Sequence, residues 1–248
     1  MSSLLAVLFD LDGTLRHNQP SSFETFTEYL QELGQPLSLA QIQHGERWNH
    51  YYWAVSPNLK ADLAAFGGET EEFWIRHAER QLRVMKVKGD VRALAQHITT
   101  HFMVNYSPDH LVPDDVIPSL IRLRAAGYAL GLVSNRVEPL DAVVAELGFK
   151  GFFHFTLSAG QAECWKPNPK IFLRAAAMAK CLPEAAVYVG DNYYADIEGA
   201  RSAGMHPVLI DPRGIFPEPG CPVIHVLSEL EDVLEALGTQ SHSPASIP

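Results

Sequence analysis

Six short apolar runs constrain the fold of this chain more than any other feature. Runs of four to six residues with little alternation of polar and apolar side chains are typical of strands buried on both faces of a parallel sheet. Most of these runs end next to a small or acidic residue. They occupy residues 4–9, 128–133, 152–157, 186–189 and 207–210, with 223–226 as a candidate sixth.

Helical patterns separate the later runs. Apolar side chains recur at three- and four-residue spacing within residues 137–147, 171–178 and 230–237. Asn168 followed by Pro169 has the order of cap and first-turn residues at a helix start. Ser228 and Glu231 have the spacing of a capping box. This alternation of strands and helices predicts an α/β fold with a parallel sheet covered on both faces.

More than a hundred residues separate the first apolar run from the second, and they contain no strand pattern. Amphipathic helical patterns recur there instead, and Ser21 with Glu24 predicts a capping box. A crossover between neighbouring strands needs only one helix, so several helices predict an inserted all-helical domain. The predicted division is a core of residues 1–16 and 111–238, a helical insert of residues 17–110 and a disordered tail of residues 239–248.

The charge of the chain limits its partners. Its formal net charge is −10, with no basic stripe, which argues against binding to nucleic acid or to an anionic membrane surface. Its three widely spaced cysteines, Cys164, Cys181 and Cys221, fit reduced thiols better than a disulfide framework. The sequence shows neither a signal-peptide pattern nor a membrane-length apolar run. We therefore expect a soluble cytoplasmic protein, and the sequence does not identify its protein partners.

Two carboxylates, Asp10 and Asp12, directly follow the first apolar run. Ligands of α/β proteins bind at the carboxyl ends of parallel strands, where these residues would lie. Gly13 would allow the chain to turn sharply behind them. A calcium-binding EF-hand loop also begins with alternating aspartates, but it requires a glutamate at its twelfth position, and this stretch lacks one.

Three further motifs lie after later apolar runs: Ser134-Asn135, Lys166-Pro167, and Gly190-Asp191 with Asp196 five residues beyond Asp191. Together with the stretch from Asp10 to Leu15, these motifs resemble the four motifs of the haloacid dehalogenase-like superfamily, in the same order and across nearly the whole chain. The resemblance implies a Rossmann-like three-layer α/β/α core. It also implies that the helical insert is a C1-type cap between the first and second motifs.

The resemblance implies a chemical role for each motif residue. Asp10 would be the nucleophile, because a carboxylate is ionised at neutral pH and needs no activating base. Asp12 would be the general acid and base, and we expect surrounding carboxylates to raise its pKa toward neutrality. Ser134, Asn135 and Lys166 would bind the phosphoryl group, whose charge Lys166 would also offset.

Mg²⁺ is the cofactor that the resemblance implies. The expected ligands are the carboxylates of Asp10 and Asp191 and the backbone carbonyl of Asp12, a set of oxygen donors that suits Mg²⁺ better than zinc. Asp196 would orient Lys166 or a metal-bound water, with direct ligation left open, and Asn192 is a weaker candidate for the same surroundings. Carboxylates crowded into one pocket would repel one another strongly without a cation.

The predicted function is therefore a Mg²⁺-dependent phosphatase that acts on a small phosphorylated metabolite. A phosphomutase of the same superfamily shares all four motifs, and a non-catalytic protein that binds a phosphorylated ligand could keep the fold without turnover. The 2-haloacid dehalogenases and the phosphonatases are disfavoured. The first branch lacks an acid/base at the position of Asp12, and the second has alanine there.

Several residues of the insert have two interpretations. Trp48, Tyr51, Tyr52 and Trp53 could form a stacking surface for a ligand, but the core of a small helical domain explains most of them. Three arginines, Arg76, Arg80 and Arg83, are spaced along one helical face and could recognise an anion. A solvated face is the commoner explanation of such spacing.

Overall fold

The computed structural model describes residues 3–68 and 70–240, with Gln240 described by its backbone alone. The chain divides into two compact units. The core unit comprises the described residues up to His17 and those from Val112 onward, and the cap unit comprises Asn18–Leu111. None of the helices in the described part of the chain combines the length and the hydropathy needed to cross a bilayer.

A six-stranded parallel sheet forms the centre of the core unit. All of its neighbouring strands pair in parallel, and every residue of the first strand is buried. This confirms the predicted α/β class. In spatial order the strands are β5 (Phe155–Ser158), β4 (Ala129–Ser134), β1 (Ala6–Phe9), β6 (Ala186–Gly190), β7 (His206–Ile210) and β8 (Val223–Ile224).

Helices cover both faces of this sheet. Because side chains alternate across a strand, Val7 and Phe9 enter one apolar cluster while Ala6 and Leu8 enter another. The first cluster includes residues of α6 (Val116–Ala125) and α11 (Leu230–Gln240), and the second includes residues of α9 (Pro169–Met178). The helices of the core unit are α6 (Val116–Ala125), α7 (Asp141–Glu146), α8 (Ala159–Ala162), α9 (Pro169–Met178), α10 (Glu198–Ser202) and α11 (Leu230–Gln240).

The register of the sheet brings three strand ends to one edge. Phe9 at the end of β1 lies opposite Leu132 of β4 and Val189 of β6. The backbone N–H of Asp10 donates to the carbonyl of Val189 at 2.9 Å. Residues that follow β1, β4 and β6 therefore meet at the carboxyl edge of the sheet, as in other parallel α/β proteins.

Some predicted element boundaries differ from the observed ones. Strand β5 begins at Phe155, three residues after the predicted start. The capping box expected at Ser228 does not form, because Ser228 lies in a 3₁₀ turn and its backbone N–H donates to Asp115 Oδ2 at 2.9 Å. Helix α11 runs to Gln240, so its last two residues belong to the segment predicted as a tail. The rest of that predicted tail, residues 241–248, lies outside the described residues.

The cap unit is mainly helical. Its helices are α1 (Ser22–Glu32), α2 (Leu39–Val55), α3 (Pro57–Phe66), α4 (Glu71–Val84) and α5 (Val91–Asn105). The predicted capping box of Ser21 and Glu24 is present at the start of α1. Two short strands, β2 (His17–Gln19) and β3 (Asp109–Leu111), pair at the ends of the insert. The sequence does not predict these strands, because three residues are too few to show a strand pattern.

Aromatic side chains of α2 and α4 pack together within the cap unit. The ring of Tyr52 is fully buried and contacts Trp48, Trp53 and His77. Trp53 and Trp74 are partly exposed and line a cavity of about 480 Å³ whose wall also includes His77. The cluster thus forms part of the packing of the cap unit, and some of its rings also border a cavity.

Arg80 does not belong to a solvated helix face. Its Nε and Nη2 donate to the two carboxylate oxygens of Asp62 at 2.6 and 2.8 Å, and Tyr52 donates its hydroxyl to the same carboxylate at 3.0 Å. Asp62 is only 2% exposed. Burial favours a higher pKa for Asp62, but the hydrogen bonds and charges of its partners outweigh burial and lower its pKa. Spacing along one helix could not reveal this pairing, because Asp62 lies on another helix.

Removing Arg80 should therefore destabilise the cap unit. In Arg80→Ala the buried carboxylate of Asp62 loses its bidentate partner, and we expect the free energy of unfolding to fall by on the order of 3 kcal/mol. Arg83→Ala is the matched control, because Arg83 is exposed on the same helix α4 and surface substitutions usually change stability by less than about 0.5 kcal/mol. Urea unfolding of both variants measures the difference. Equal losses in the two variants would contradict this account of Asp62.

Candidate active site

Asp10 follows β1 and is buried together with the ammonium group of Lys166. Lys166 Nζ donates to Oδ1 of Asp10 at 2.6 Å and to Oδ1 of Asp196 at 2.7 Å. None of these three side chains is more than 9% exposed. The ring centroid of Tyr188 lies 5.6 Å from the same ammonium. The structure thus brings the residues of the first, third and fourth motifs into direct contact.

Asp191, which follows β6, completes a group of three carboxylates. One carboxylate oxygen each from Asp10, Asp191 and Asp196 lies within 4.8 Å of the others. Thr14 donates its hydroxyl to Asp191 Oδ1 at 3.4 Å. Gly13 has a φ of 90°, and a Cβ at this position would overlap the Asp191 carboxylate. Glycine is therefore required at position 13 both by backbone conformation and by space.

Asn192 holds the loop that presents Asp196. Its side-chain Oδ1 accepts hydrogen bonds from the backbone N–H groups of Tyr194 and Ala195, at the start of a π-helical turn at Tyr193–Ile197. Its own backbone N–H donates to Asp196 Oδ2 at 3.0 Å. Asn192 therefore contacts this carboxylate through its main chain, while its side chain caps the turn.

Burial dominates the electrostatics of the carboxylate group. It raises the pKa of Asp10 to about 7, against the opposing charge of Lys166. Burial and then the charge of Asp10 raise the pKa of Asp191 to about 7, and burial likewise raises the pKa of Asp196. Burial would lower the pKa of Lys166, but the charges of Asp10 and Asp196 outweigh it and raise that pKa well above its ordinary value.

The net charge of this group favours the binding of a divalent cation. Three ionised carboxylates and one ammonium sum to −2, a charge that is costly to bury without compensation. Carboxylate oxygens are the donors that Mg²⁺ prefers. The residues present therefore fit the metal that the sequence analysis expects, with Asp10, Asp191 and Asp196 as the carboxylates able to hold it.

Asn135 acts on the backbone of Lys166. Its Oδ1 accepts from the Lys166 N–H at 2.7 Å, and its Nδ2 donates to the Lys166 carbonyl at 3.1 Å. The geometry thus gives the amide a positioning contact where the sequence analysis expects a phosphate contact. Ser134 is 2% exposed, and its hydroxyl oxygen accepts from the backbone N–H of Arg136 at 3.3 Å.

Asp12 is surrounded by arginines, which makes the expectation about its pKa wrong. Arg136 donates to both of its carboxylate oxygens, and Arg16 donates to Oδ1. Burial would raise the pKa of Asp12, but the hydrogen bonds and charges of Arg136 and then Arg16 outweigh it and lower the pKa. Neither arginine is among the site residues predicted from the sequence, although Arg136 directly follows Asn135 and Arg16 lies four residues after Asp12.

Comparison with known proteins gives a match that covers most of the chain. The family model of the haloacid dehalogenase-like hydrolases matches residues 4–204. The glyceraldehyde 3-phosphate phosphatase of Methanopyrus kandleri is 32% identical over 208 residues, 83% of either chain. The haloacid dehalogenase-like hydrolase domain-containing protein 3 of Bos taurus is 33% identical over 95% of this chain and 94% of its own. The phosphoserine phosphatase of Thermus thermophilus is 32% identical over 86% of this chain and 90% of its own.

Solved structures share the fold. A 2-haloacid dehalogenase from Pseudomonas syringae pv. Tomato superposes with a TM-score of 0.52 at 26% identity, over 94% of this chain and 99% of that one. A HAD phosphatase from Thermococcus onnurineus superposes with a TM-score of 0.55 at 23% identity, over 93% of this chain and 98% of that one. At this level of identity the second likeness concerns the fold alone.

Replacing Lys166 should destabilise the core unit in a pH-dependent way. Lys166→Met leaves the buried carboxylates of Asp10 and Asp196 without their ammonium partner, and we expect a loss on the order of 3 kcal/mol at pH 8 without added metal. The loss should shrink at pH 5, because the pKa of Asp10 is already raised to about 7 and would rise further without Lys166, so that Asp10 is protonated there.

Lys170→Met is the matched control for this measurement, since Lys170 is exposed near the start of α9. Denaturant unfolding of both variants at the two pH values gives the comparison. A loss in Lys166→Met that is the same at both pH values, or no greater than the loss in Lys170→Met, would contradict the described charge balance.

Proposed function

Because the chain belongs to the haloacid dehalogenase-like hydrolase family, we propose that it is a Mg²⁺-dependent phosphatase that hydrolyses a small phosphorylated metabolite through an aspartyl-phosphate at Asp10. The observation that carries this proposal is the buried contact of Asp10 with Lys166, next to the carboxylates of Asp191 and Asp196. It combines a nucleophile, a positive charge and a set of hard oxygen donors in one place.

In the proposed reaction, a carboxylate oxygen of Asp10 attacks phosphorus and the bond from phosphorus to the ester oxygen breaks. Asp12 gives a proton to that leaving oxygen and then takes a proton from the water that attacks the aspartyl-phosphate. Breaking the bond between phosphorus and Asp10 releases phosphate and restores the carboxylate. Splitting the hydrolysis into two displacements in this way lowers the barrier of each.

Lys166 supports these displacements by its position. Its ammonium contacts Asp10 directly, so it lies beside the atoms at which the negative charge of the phosphoryl group would develop. Asn135 holds the Lys166 backbone by hydrogen bonds to both its N–H and its carbonyl group. Less conformational freedom then has to be lost when the reacting groups reach this geometry. Ser134, at the end of β4, remains the residue that we propose to hydrogen-bond the phosphoryl group.

Asp10 and Asp191 are the proposed carboxylate ligands of Mg²⁺, with the backbone carbonyl of Asp12 as a third. Asp196 already accepts from Lys166, and we propose that it serves mainly to hold that ammonium. A bound Mg²⁺ would neutralise the carboxylates and offset the charge of the phosphoryl group.

Asp12 must change partners before it can donate a proton. Its carboxylate is held at both oxygens by Arg136 and Arg16, which stabilise its ionised form. The acid step therefore requires Asp12 to leave at least the fork of Arg136. The side chains of both Asp12 and Arg136 are more than a third exposed, so neither is prevented by packing from moving.

The substrate proposed is a phosphomonoester of a small metabolite. Two relatives that align with most of the chain are named for glyceraldehyde 3-phosphate and phosphoserine, and both molecules have three-carbon skeletons. The likeness to a 2-haloacid dehalogenase gives an alternative to test, against which the presence of Asp12 argues. Phosphoryl transfer to a sugar acceptor would instead indicate a phosphomutase. Ligand binding without turnover would indicate a non-catalytic protein.

Phosphate release from a panel of three-carbon phosphomonoesters tests the proposal. We expect hydrolysis with Mg²⁺, none with EDTA, and recovery when Mg²⁺ is restored. Ca²⁺ should inhibit, because its larger and looser coordination shell misplaces the reacting groups. Asp10→Asn should bind Mg²⁺ more weakly and lose activity by several orders of magnitude, because the nucleophile is gone. Asp191→Asn should need a higher Mg²⁺ concentration.

The outcomes of this assay separate the candidate functions. Hydrolysis that continues in EDTA, or an Asp10→Asn variant near the wild-type rate, would rule out the proposed mechanism. Release of halide from 2-haloacids, with all phosphate esters intact, would support the dehalogenase alternative.

The role of Asp12 can be measured in single turnovers. Asp12→Ala should still form the phospho-enzyme from an aryl phosphate, because a good leaving group needs no acid. Hydrolysis of this phospho-enzyme should then be slower than in the wild type by roughly 10²- to 10⁴-fold, the usual contribution of general base catalysis. Asp232→Ala, at an exposed position of α11, is the control. Wild-type rates for both steps in Asp12→Ala would exclude Asp12 as the acid and base.

A further inference from the structure

Two arginines hold the carboxylate of Asp12 at both of its oxygens. Arg136 donates from Nε to Oδ2 at 2.7 Å and from Nη2 to Oδ1 at 2.8 Å, and Arg16 donates from Nη1 to Oδ1 at 2.7 Å. The planar guanidinium of Arg136 therefore meets the carboxylate with two parallel hydrogen bonds. Arginine recognises carboxylates of ligands by the same geometry.

This group differs from the buried carboxylates in its exposure. The side chains of Arg136 and Asp12 are 36% and 37% exposed, whereas those of Asp10 and Lys166 are 9% and 3% exposed. Asp12 follows Asp10 by two residues, and two residues span at most about 7 Å. The hydrogen bonds and charge of Asp12 raise the pKa of Arg136 against the effect of burial, and the charge of Asp10 adds to this rise. A small molecule bound at the nucleophile therefore lies near the Arg136 guanidinium.

More positive charge lies around Arg16. Arg16 is 7% exposed, and its Nε is buried without a hydrogen-bond partner among the described residues. Burial lowers the pKa of the neighbouring His17, and the charges of Arg213 and Arg16 lower it further against the weaker effect of Asp115. Both guanidinium groups are therefore close enough to act on His17. In a chain with a net charge of −10, this concentration of positive charge favours an anion.

We propose that Arg136 and Arg16 form a second anion subsite, which binds a carboxylate of the substrate in the place that Asp12 occupies in this structure. The inference rests on the proposed phosphatase function and narrows its substrate class to short phosphomonoesters that also carry a carboxylate. The short separation of Asp10 and Asp12 limits the size of the substrate. Its phosphoryl group must reach Asp10 while its carboxylate takes the place of Asp12, so only a few atoms can join the two groups.

The subsite links recognition of the substrate to the acid step. A carboxylate of the substrate has the charge and the shape of the Asp12 side chain, so it can replace that side chain on Arg136 without leaving the guanidinium unpaired. Asp12 is then released and can turn toward the leaving oxygen. An ester without a carboxylate leaves Asp12 on the arginines, so it should react more slowly as well as bind more weakly.

This subsite can be tested with two pairs of substrates, in each of which only one member carries a carboxylate. 3-Phosphoglycerate carries a carboxylate where glyceraldehyde 3-phosphate carries an aldehyde, and phosphoserine carries one where phosphoethanolamine carries hydrogen. With the wild-type enzyme and Mg²⁺, we expect kcat/KM to be about 10- to 100-fold higher for the carboxylate member of each pair, as for other charge-assisted contacts. Equal or lower values for the carboxylate members would overturn the proposal.

Variants of Arg136 assign the preference to this side chain. Arg136→Gln should bring the ratio within each pair close to one, and Arg136→Lys should give an intermediate ratio, because lysine keeps the charge but not the planar fork. The matched control is Arg122→Gln, which removes an arginine–carboxylate pair with Glu231 elsewhere in the core unit and should keep the wild-type ratio. An Arg136→Gln variant that loses activity equally on both members of a pair would show a purely structural role and contradict the inference.

Binding to a variant without the nucleophile keeps this test independent of turnover. Calorimetric titration of Asp10→Asn with 3-phosphoglycerate and with glyceraldehyde 3-phosphate should show tighter binding of the first. The double variant with Arg136→Gln should lose that preference. Equal affinities in Asp10→Asn would overturn the subsite. Absence of Mg²⁺-dependent hydrolysis by the wild-type enzyme would instead overturn the proposed function. The binding preference of Asp10→Asn would still test the subsite in that case.

Discussion

The burial of one ammonium group among three carboxylates is the constraint on which the rest of the site depends. Lys166 donates to both Asp10 and Asp196 while Asp191 lies within reach of the same oxygens. Such charges are stable inside a protein only if they pair closely, because each is expensive to remove from water. The remaining charge of −2 makes the same pocket suited to a divalent cation.

Short polar side chains and small residues hold this charged group in place. Asn135 fixes the main chain of Lys166, and Asn192 caps the turn that carries Asp196. Gly13 leaves space that the carboxylate of Asp191 fills. The cap of Asn192 is local, but the contacts of Asn135 and Gly13 join residues that follow different strands. The parallel register of the sheet is what allows these two to form together.

Two carboxylates only two residues apart have opposite electrostatic environments. Burial prevails at Asp10 and raises its pKa, whereas paired arginines prevail at Asp12 and lower its pKa. This difference separates the residue proposed to attack phosphorus from the one proposed to move protons. In the proposed subsite, release of Asp12 from Arg136 is the step at which a substrate is selected.

The sequence by itself determined the α/β class, the helical insert and the grouping of Asp10, Lys166 and Asp191. Apolar runs and strand-end motifs depend on local pattern and order along the chain. Only the tertiary structure decided the partners of Asp12 and Asn135, and it corrected the expected pKa of Asp12. The contacts of Asp12 with Arg136 and of Asn135 with Lys166 join residues that are 124 and 31 positions apart, and no sequence periodicity encodes them. A pKa depends on burial and neighbouring charges that exist only after the chain has folded.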